Sequence, residues 1–176
     1  MSIIRPAFPA LIAGAVLVTL VTAGQCTRLA MHRAEAADSD PSMENSMPSG
    51  LAEAARIAAR FPDSQTIANS NLHYIVLRPG EGEPPKTGSF LTVHYSGTLW
   101  DGTPFDSSVE RGQPLKFRLG VGQVIKGWDL GFASMLPGEK RLLIIPYSLA
   151  YGDRGRRPTI PPRATLLFEV ELIAIE

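Results

Sequence analysis

The sequence predicts an α+β domain in which an antiparallel sheet of about five strands packs on one short helix. Three observations lead to this fold class. Several segments after residue 71 alternate apolar and polar side chains, which is the period of a half-buried strand. One segment around Trp128 instead spaces its apolar side chains three and four residues apart, as one face of a helix does. The connections are short and contain Pro-Gly and Asp-Gly pairs, which favours antiparallel neighbours.

The predicted strands begin at residue 72. Residues 72–77 form the first and stop at Pro79-Gly80, and residues 90–99 place Leu91, Val93 and Tyr95 on one face. The turn pair at residues 101–102 (DG) follows. After residues 105–107, the remaining strands are 115–119, 140–145 and 165–175. In the last of them, Leu166, Phe168, Val170 and Leu172 are expected to face inward.

The predicted helix follows the 115–119 strand and ends at Pro137-Gly138. Its inward face is formed by Ile125, Trp128, Phe132 and Met135. An indole on such a face either fills a core or forms the floor of a pocket, and the spacing alone favours the core.

Composition excludes several classes of protein. Of the 176 residues, 17 are Lys or Arg and 17 are Asp or Glu, so no net charge points to nucleic acid. A single cysteine, Cys26, excludes an internal disulfide framework and a multi-cysteine metal site. His32, His73 and His94 are too scattered to nominate a metal ligand set or a general base. We therefore expect no metal site.

Residues 1–25 have the features of an export leader: Arg5 precedes an uncharged apolar run over residues 10–21. Three interpretations stay open, namely a cleaved signal peptide, an uncleaved membrane anchor and lipidation of Cys26. All three place the protein in the periplasm or cell envelope. Residues 26–70 have the composition of a linker, with a short Ala-rich helix predicted over 51–60 that is marginal in a spacer. The folded domain is expected over residues 71–176.

No catalytic motif of hydrolases or nucleotide-binding proteins is present: the sequence has no Gly-x-Ser-x-Gly elbow and no P-loop. Gly120-Val-Gly122 matches half of a dinucleotide fingerprint, but Ile125 stands where the third glycine belongs. We therefore reject a dinucleotide-binding site.

Several motifs in fixed order resemble the FKBP family of macrolide-binding peptidyl-prolyl isomerases over residues 72–176. They are residues 93–99 (VHYSGTL), 101–108 (DGTPFDSS), 111–117 (RGQPLKF), 122–128 (GQVIKGW), 150–152 (AYG) and 160–172 (IPPRATLLFEVEL). The resemblance implies a half-wrapped antiparallel sheet on one helix. It also implies catalysis of rotation about X-Pro bonds, binding of proline-containing polypeptides and of macrolide inhibitors, and no cofactor.

The resemblance also implies a site. Trp128 would lie beneath the proline ring, the Tyr151 hydroxyl would donate to a carbonyl, and Asp106 would stand at the pocket edge. The other catalytic positions are Tyr95, Phe105 and Phe168, and the substrate-binding positions are Leu115, Phe117, Val124, Ile125 and Ile160. Leu115 replaces an aromatic residue that many relatives have, which should loosen contact with bulky macrolides.

Structural alternatives accompany these assignments. Phe168 lies in an alternating strand where core packing is the default. Asp106 is also suited to capping its own turn, and Tyr151 to an ordinary turn before Gly152. The arginines at 154, 156, 157 and 163 are either a solvated loop or a feature that favours acidic residues beside the proline.

We therefore expect a monomeric prolyl isomerase that assists the folding of exported proteins, in which proline isomerisation is a slow step. The alternative is a binding module or chaperone that holds proline-containing segments with little catalysis. A second alternative is a membrane-tethered partner of an envelope assembly, in which the domain serves as a scaffold.

Overall fold

The computed structural model describes residues 49–176, which form one antiparallel sheet with a helix against each face. The two helices are α1, Ser49–Arg60, and α2, Lys126–Phe132. The strands are β1 Gln65–Thr66, β2 His73–Arg78, β3 Phe90–Leu99, β4 Pro104–Ser107, β5 Leu115–Arg118, β6 Lys140–Ile145 and β7 Leu166–Ile175. The α+β class predicted from the alternating segments is confirmed.

The strand order is β1-β2-β6-β7-β3-β4, and every ladder is antiparallel. The edge of β3 is shared, because β5 pairs with its first half and β4 with its second half. The sheet therefore has seven strands, more than the predicted five, and the two additional strands are β1 and β4. Strand β1 has only two residues, which is too short to show an alternation of apolar and polar side chains in the sequence.

The main core lies between α2 and the sheet. Leu91, Val93 and Tyr95 point into it from β3, and Trp128 and Phe132 meet them from α2, as their spacing predicts. Two glycines of α2 allow this close approach. A Cβ on Gly127 would lie 2.4 Å from Ile145, and a Cβ on Gly131 would lie 2.8 Å from Leu143.

The opposite face of the sheet is covered by α1. Ile57 is 1% exposed and packs against Ile144 and Leu167, which are paired neighbours on β6 and β7. The predicted helix over 51–60 is thus present and ends before Phe61-Pro62, yet it is not a marginal helix in a spacer. Its single buried side chain is too weak a pattern for the sequence to indicate packing.

A buried ion pair fixes the chain after α2. Arg141 on β6 is 5% exposed and Glu139 is 4% exposed, and their side chains form a salt bridge. Arg141 also donates to the carbonyls of Gly131 and Ser134 at the end of the helix. Glu139 therefore compensates the positive charge of Arg141, which would otherwise be buried unpaired in an apolar strand.

The export leader and Cys26 lie outside the described residues, as does the linker as far as residue 48. Within residues 49–176, neither helix has the length and apolarity that a membrane crossing requires. The three interpretations of residues 1–25 stay predictions.

Candidate active site

A cavity of about 720 Å³ opens beside α2, bounded by strands β3, β4, β5 and β7 and by the loop over residues 146–165. All but one of the predicted site residues line it. These are Tyr95, Phe105, Asp106, Leu115, Val124, Ile125, Trp128, Tyr151, Ile160 and Phe168. The fold therefore gathers into one place residues that are up to 73 positions apart in the chain, from Tyr95 to Phe168.

The exception is Phe117, predicted to bind substrate. Its ring is 4% exposed and lies behind the cavity, with centroids 5.7 Å from Trp128 and 5.5 Å from Phe132. It shares a strand face with Leu115, but Leu115 is nearer the open end and only half-buried. Phe117 therefore supports Trp128 from the core side and does not line the cavity.

The apolar wall is a set of aromatic rings in edge-to-face contact. The centroid of Trp128 lies 5.0 Å from Tyr95 and 5.3 Å from Phe168, and Phe168 lies 5.4 Å from Phe105. Such pairs are favoured by the ring quadrupoles beyond the area that they bury. Phe168 thus serves both interpretations that the sequence left open, because it is 4% exposed and also lines the cavity.

A glycine on β3 allows the rings of Phe105 and Phe168 to meet. A Cβ on Gly97 would lie 2.7 Å from the Cζ atom of Phe105 and 2.7 Å from the Cε1 atom of Phe168. Real Cβ atoms do not approach other atoms this closely, so a larger residue would displace both rings. Gly97 is therefore part of what shapes the wall.

The polar edge of the cavity is a network of Tyr95, Asp106 and Arg111. The Tyr95 hydroxyl donates to Oδ2 of Asp106 at 2.6 Å, while Arg111 donates to that hydroxyl at 2.9 Å and to Oδ1 of Asp106. Asp106 is therefore more than a turn cap, because both carboxylate oxygens accept from side chains across the site. Sequence reasoning missed Arg111. It lies five residues after Asp106, and the turn between them brings the two side chains together.

The network shifts the pKa values of its members in opposite directions. Burial, followed by the hydrogen bond to Asp106, raises the pKa of Tyr95. Burial alone would raise the pKa of Asp106, but the hydrogen bonds from Tyr95 and Arg111 outweigh it and lower that pKa below 3.8. The pair therefore stays as a neutral phenol and an ionised carboxylate near neutral pH.

The 146–165 loop supplies the opposite wall. Arg156 and Ile160 exchange two backbone hydrogen bonds, at 2.9 and 2.8 Å, so the loop folds back as a small hairpin. Gly155 permits this turn with a φ of 65°, and a Cβ there would meet the Pro161 carbonyl oxygen at 2.4 Å. Ile160 is 3% exposed and is thereby held against the cavity.

Tyr151 points its hydroxyl toward an arginine of the same loop. Nη1 of Arg156 donates to the Tyr151 oxygen at 3.4 Å, and the guanidinium lies 5.8 Å from the ring centre. This bond uses an oxygen lone pair and not the hydroxyl proton, so Tyr151 keeps its own capacity to donate. The sequence raised Arg156 and Arg157 only as loop arginines that favour acidic residues beside the proline, and both line the cavity. The lining residues that it did not predict are Gln123, Pro158 and Thr159.

This arrangement defines a class of site. The cavity has an apolar aromatic wall shaped to accept a ring, the Tyr151 hydroxyl is available to donate to a carbonyl beside it, and the ionised Asp106 lies at the edge. Within residues 49–176 no cluster of three or more His, Cys, Asp or Glu side chains could hold a metal ion. The aromatic wall and the hydrogen-bonding side chains of Tyr151 and Asp106 suit a reaction that proceeds through shape and hydrogen bonding.

The comparisons with known proteins identify the family. The family described as FKBP-type peptidyl-prolyl cis-trans isomerase matches residues 81–173. The chain is 56% identical over 99 residues to an FK506-binding protein of Neisseria meningitidis, covering 56% of this chain and 91% of the relative. It is 49% identical over 110 residues to FK506-binding protein 1 of Saccharomyces cerevisiae, covering 62% of this chain and 96% of the relative.

A solved structure gives the same result. The crystal structure of FkpA from Escherichia coli is similar with a TM-score of 0.64 and 40% identity, covering 77% of this chain and 63% of that chain. The chain belongs to the FKBP-type peptidyl-prolyl cis-trans isomerase family and is a prolyl isomerase. The fold and enzyme class that the sequence motifs imply are thereby confirmed.

Proposed function

We propose that this chain rotates X-Pro bonds in the cavity lined by Trp128, and that its substrates are proline-containing segments of exported proteins. The observation that carries the proposal is the combination of an edge-to-face aromatic wall with a polar edge of fixed charge. In this arrangement the proline ring lies against Trp128, and Tyr151 donates to the carbonyl that leaves bulk water.

The energetics suit such a cavity. Amide resonance gives the X-Pro bond a barrier of roughly 18–20 kcal/mol, which is lowered when the carbonyl loses its hydration and the amide twists. A thousandfold acceleration needs only about 4 kcal/mol of preferential binding to the twisted form. Apolar contact with the ring and one or two hydrogen bonds supply energies of that order.

The test is prolyl isomerisation of a short reporter peptide by the full chain, with Trp128→Ala as the control. Acceleration by the wild-type chain and its loss in the variant are the expected results. A folded chain that binds the peptide without accelerating isomerisation would refute catalysis and would support the alternative of a binding module.

We also propose that the same cavity binds macrolides of the FK506 type. Relatives that are about half identical to this chain carry the name FK506-binding protein. Leu115, which lines the cavity, offers less contact than an aromatic side chain would. Competition by FK506 in the isomerase assay tests this, and Leu115→Phe is expected to tighten the inhibition.

The role in export rests on residues 1–25. Arg5 followed by the apolar run supports delivery across a membrane, where slow proline isomerisation limits folding. Mass spectrometry of the mature N-terminus distinguishes a cleaved leader from a retained anchor, and also reports lipid on Cys26. Recovery of an intact, unmodified chain from the cytosol would contradict export.

A further inference from the structure

A glutamate of helix α1 joins the two ends of the loop that forms one wall of the cavity. Oε1 of Glu53 accepts a hydrogen bond from the backbone N–H of Tyr147 at 3.3 Å and another from the hydroxyl of Thr165. Those partners are 94 and 112 residues away in sequence. One carboxylate oxygen therefore connects three distant parts of the chain.

The hydrogen bonds of Glu53 lie at the base of the 146–165 loop. The last paired residues of strands β6 and β7 are Ile145 and Leu166. Tyr147 and Thr165 lie just beyond them, where the 146–165 loop leaves the sheet. Glu53 thus adds a side-chain link at the base of the loop, after the backbone ladder has ended. The loop beyond that link carries Tyr151 and Ile160 into the cavity.

The helix is itself firmly attached to the sheet, so it can transmit position to the loop. Ile57, one turn after Glu53, is buried against the sheet. Arg60 donates to the Trp100 carbonyl, and its guanidinium lies 4.6 Å from the Trp100 ring, with that of Arg56 at 5.2 Å. Helix α1 also precedes residues 81–173, the part of the chain that matches the family.

We propose that Glu53 is a positioning residue of the isomerase site: by holding Tyr147 and Thr165 together, helix α1 sets the position of the loop that bears Tyr151 and Ile160. This inference rests on the proposed function for its effect on catalysis. Thr165 is 8% exposed, so loss of Glu53 leaves a nearly buried hydroxyl without this acceptor. The base of the loop then opens more often.

The experiment measures backbone amide exchange and isomerase kinetics on the full chain with Glu53→Ala, Glu53→Gln and Leu51→Ala. Leu51 is 59% exposed on the same helix and is the matched control. Glu53→Ala is expected to speed exchange of the Ile160 amide about fivefold and to lower kcat/KM about fivefold, chiefly through KM. Glu53→Gln keeps a carbonyl oxygen at that place and is expected to restore both values.

A second variant approaches the same link from the loop. Thr165→Val removes the hydroxyl with little change of shape, and combined with Glu53→Ala it should add nothing further. Wild-type exchange in Glu53→Ala, or faster exchange spread evenly over the whole domain, would overturn the proposal. If the wild-type chain does not accelerate isomerisation but Glu53→Ala still loosens the loop alone, the proposed function fails and the positioning role stands.

Discussion

The ring of Tyr95 meets the indole of Trp128 edge to face, with centroids 5.0 Å apart and planes at 75°. The same Tyr95 donates its hydroxyl to Asp106 at 2.6 Å. One side chain therefore belongs to both the apolar wall and the polar edge of the cavity. Because Tyr95 is only 6% exposed, we expect a change at Asp106 to alter its contact with Trp128.

The first prediction separates the two properties of Trp128. Its indole N–H is buried without an acceptor among residues 49–176, and an unpaired buried donor costs about 1–3 kcal/mol. Trp128→Phe removes the donor and keeps much of the ring, so we expect its free energy of unfolding to stay within about 1 kcal/mol of wild type. Trp128→Ala should lose about 3–5 kcal/mol. Urea unfolding measures both, and equal losses in the two variants would contradict the argument.

The second prediction concerns pH. The pKa of Asp106 is lowered, so its contribution to folding is present above the ordinary value of 3.8 and is lost as pH falls through the lower folded value. The raised pKa of Tyr95 keeps its hydroxyl protonated. The ratio of wild-type to Asp106→Asn activity should therefore stay constant between about pH 5 and about pH 8.

Arg111→Ala is the control for this pH argument. It removes a donor and a positive charge from Asp106, so the acid limb of the stability profile should move to higher pH. Thermal unfolding followed as a function of pH measures the limb. A wild-type to Asp106→Asn ratio that changes within the neutral range would show that another group controls the edge of the site.

The third prediction tests Gly97. Adding a methyl group in Gly97→Ala forces apart the rings of Phe105 and Phe168, so we expect a loss of about 1–3 kcal/mol in stability and reduced kcat/KM. Gly50→Ala is the matched control, because nothing lies within 4 Å of a Cβ there and α1 gains helix propensity. Unfolding curves should show stability changes of opposite sign for the two variants. The isomerase assay measures the reduced kcat/KM of Gly97→Ala.

The fourth prediction concerns the arginines of the 146–165 loop. Arg163 pairs with Asp153 at 3.0 Å and Arg156 donates to Tyr151, whereas Arg157 lines the cavity and forms no ion pair within residues 49–176. A peptide with Glu beside the proline should thus be turned over about threefold better than its Lys counterpart at low salt. Arg157→Ala should reduce the preference, and the positive charge of Arg156, which also lines the cavity, should maintain the rest.

Arg154→Ala serves as the control for that experiment, since Arg154 does not line the cavity. High salt should reduce the preference in the wild-type chain by screening. Equal turnover of the two peptides at low salt would support a merely solvated loop.

The sequence predicts the strands and the α2 helix because burial alternates regularly along them. Leu91, Val93 and Tyr95 illustrate this, each separated by one less buried residue. Ten of the eleven predicted site positions line one cavity, and their selection came from motifs of the family and not from spacing. Phe117 shows the limit, because the same strand face carries Leu115 at the cavity and Phe117 behind it.

What the sequence leaves out depends on contacts between distant residues. Arg111 lies in a polar turn and Glu53 in an Ala-rich helix, and neither has a pattern that indicates its partner. Arg141 interrupts an apolar strand, and its position there is explained by its contacts with Glu139 and with the end of α2. Such contacts are fixed by tertiary structure, so local periodicity carries no information about them.

The two tryptophans of the chain lie on opposite faces of the sheet, and this gives the protein two separate optical reporters. Trp128 senses the cavity, while Trp100 lies beside Arg56 and Arg60 on the side of α1. In a Trp128→Phe chain, all indole emission arises from Trp100 and follows the detachment of α1. In a Trp100→Phe chain, emission follows occupation of the cavity, so ligand entry and helix release are measurable independently in one molecule.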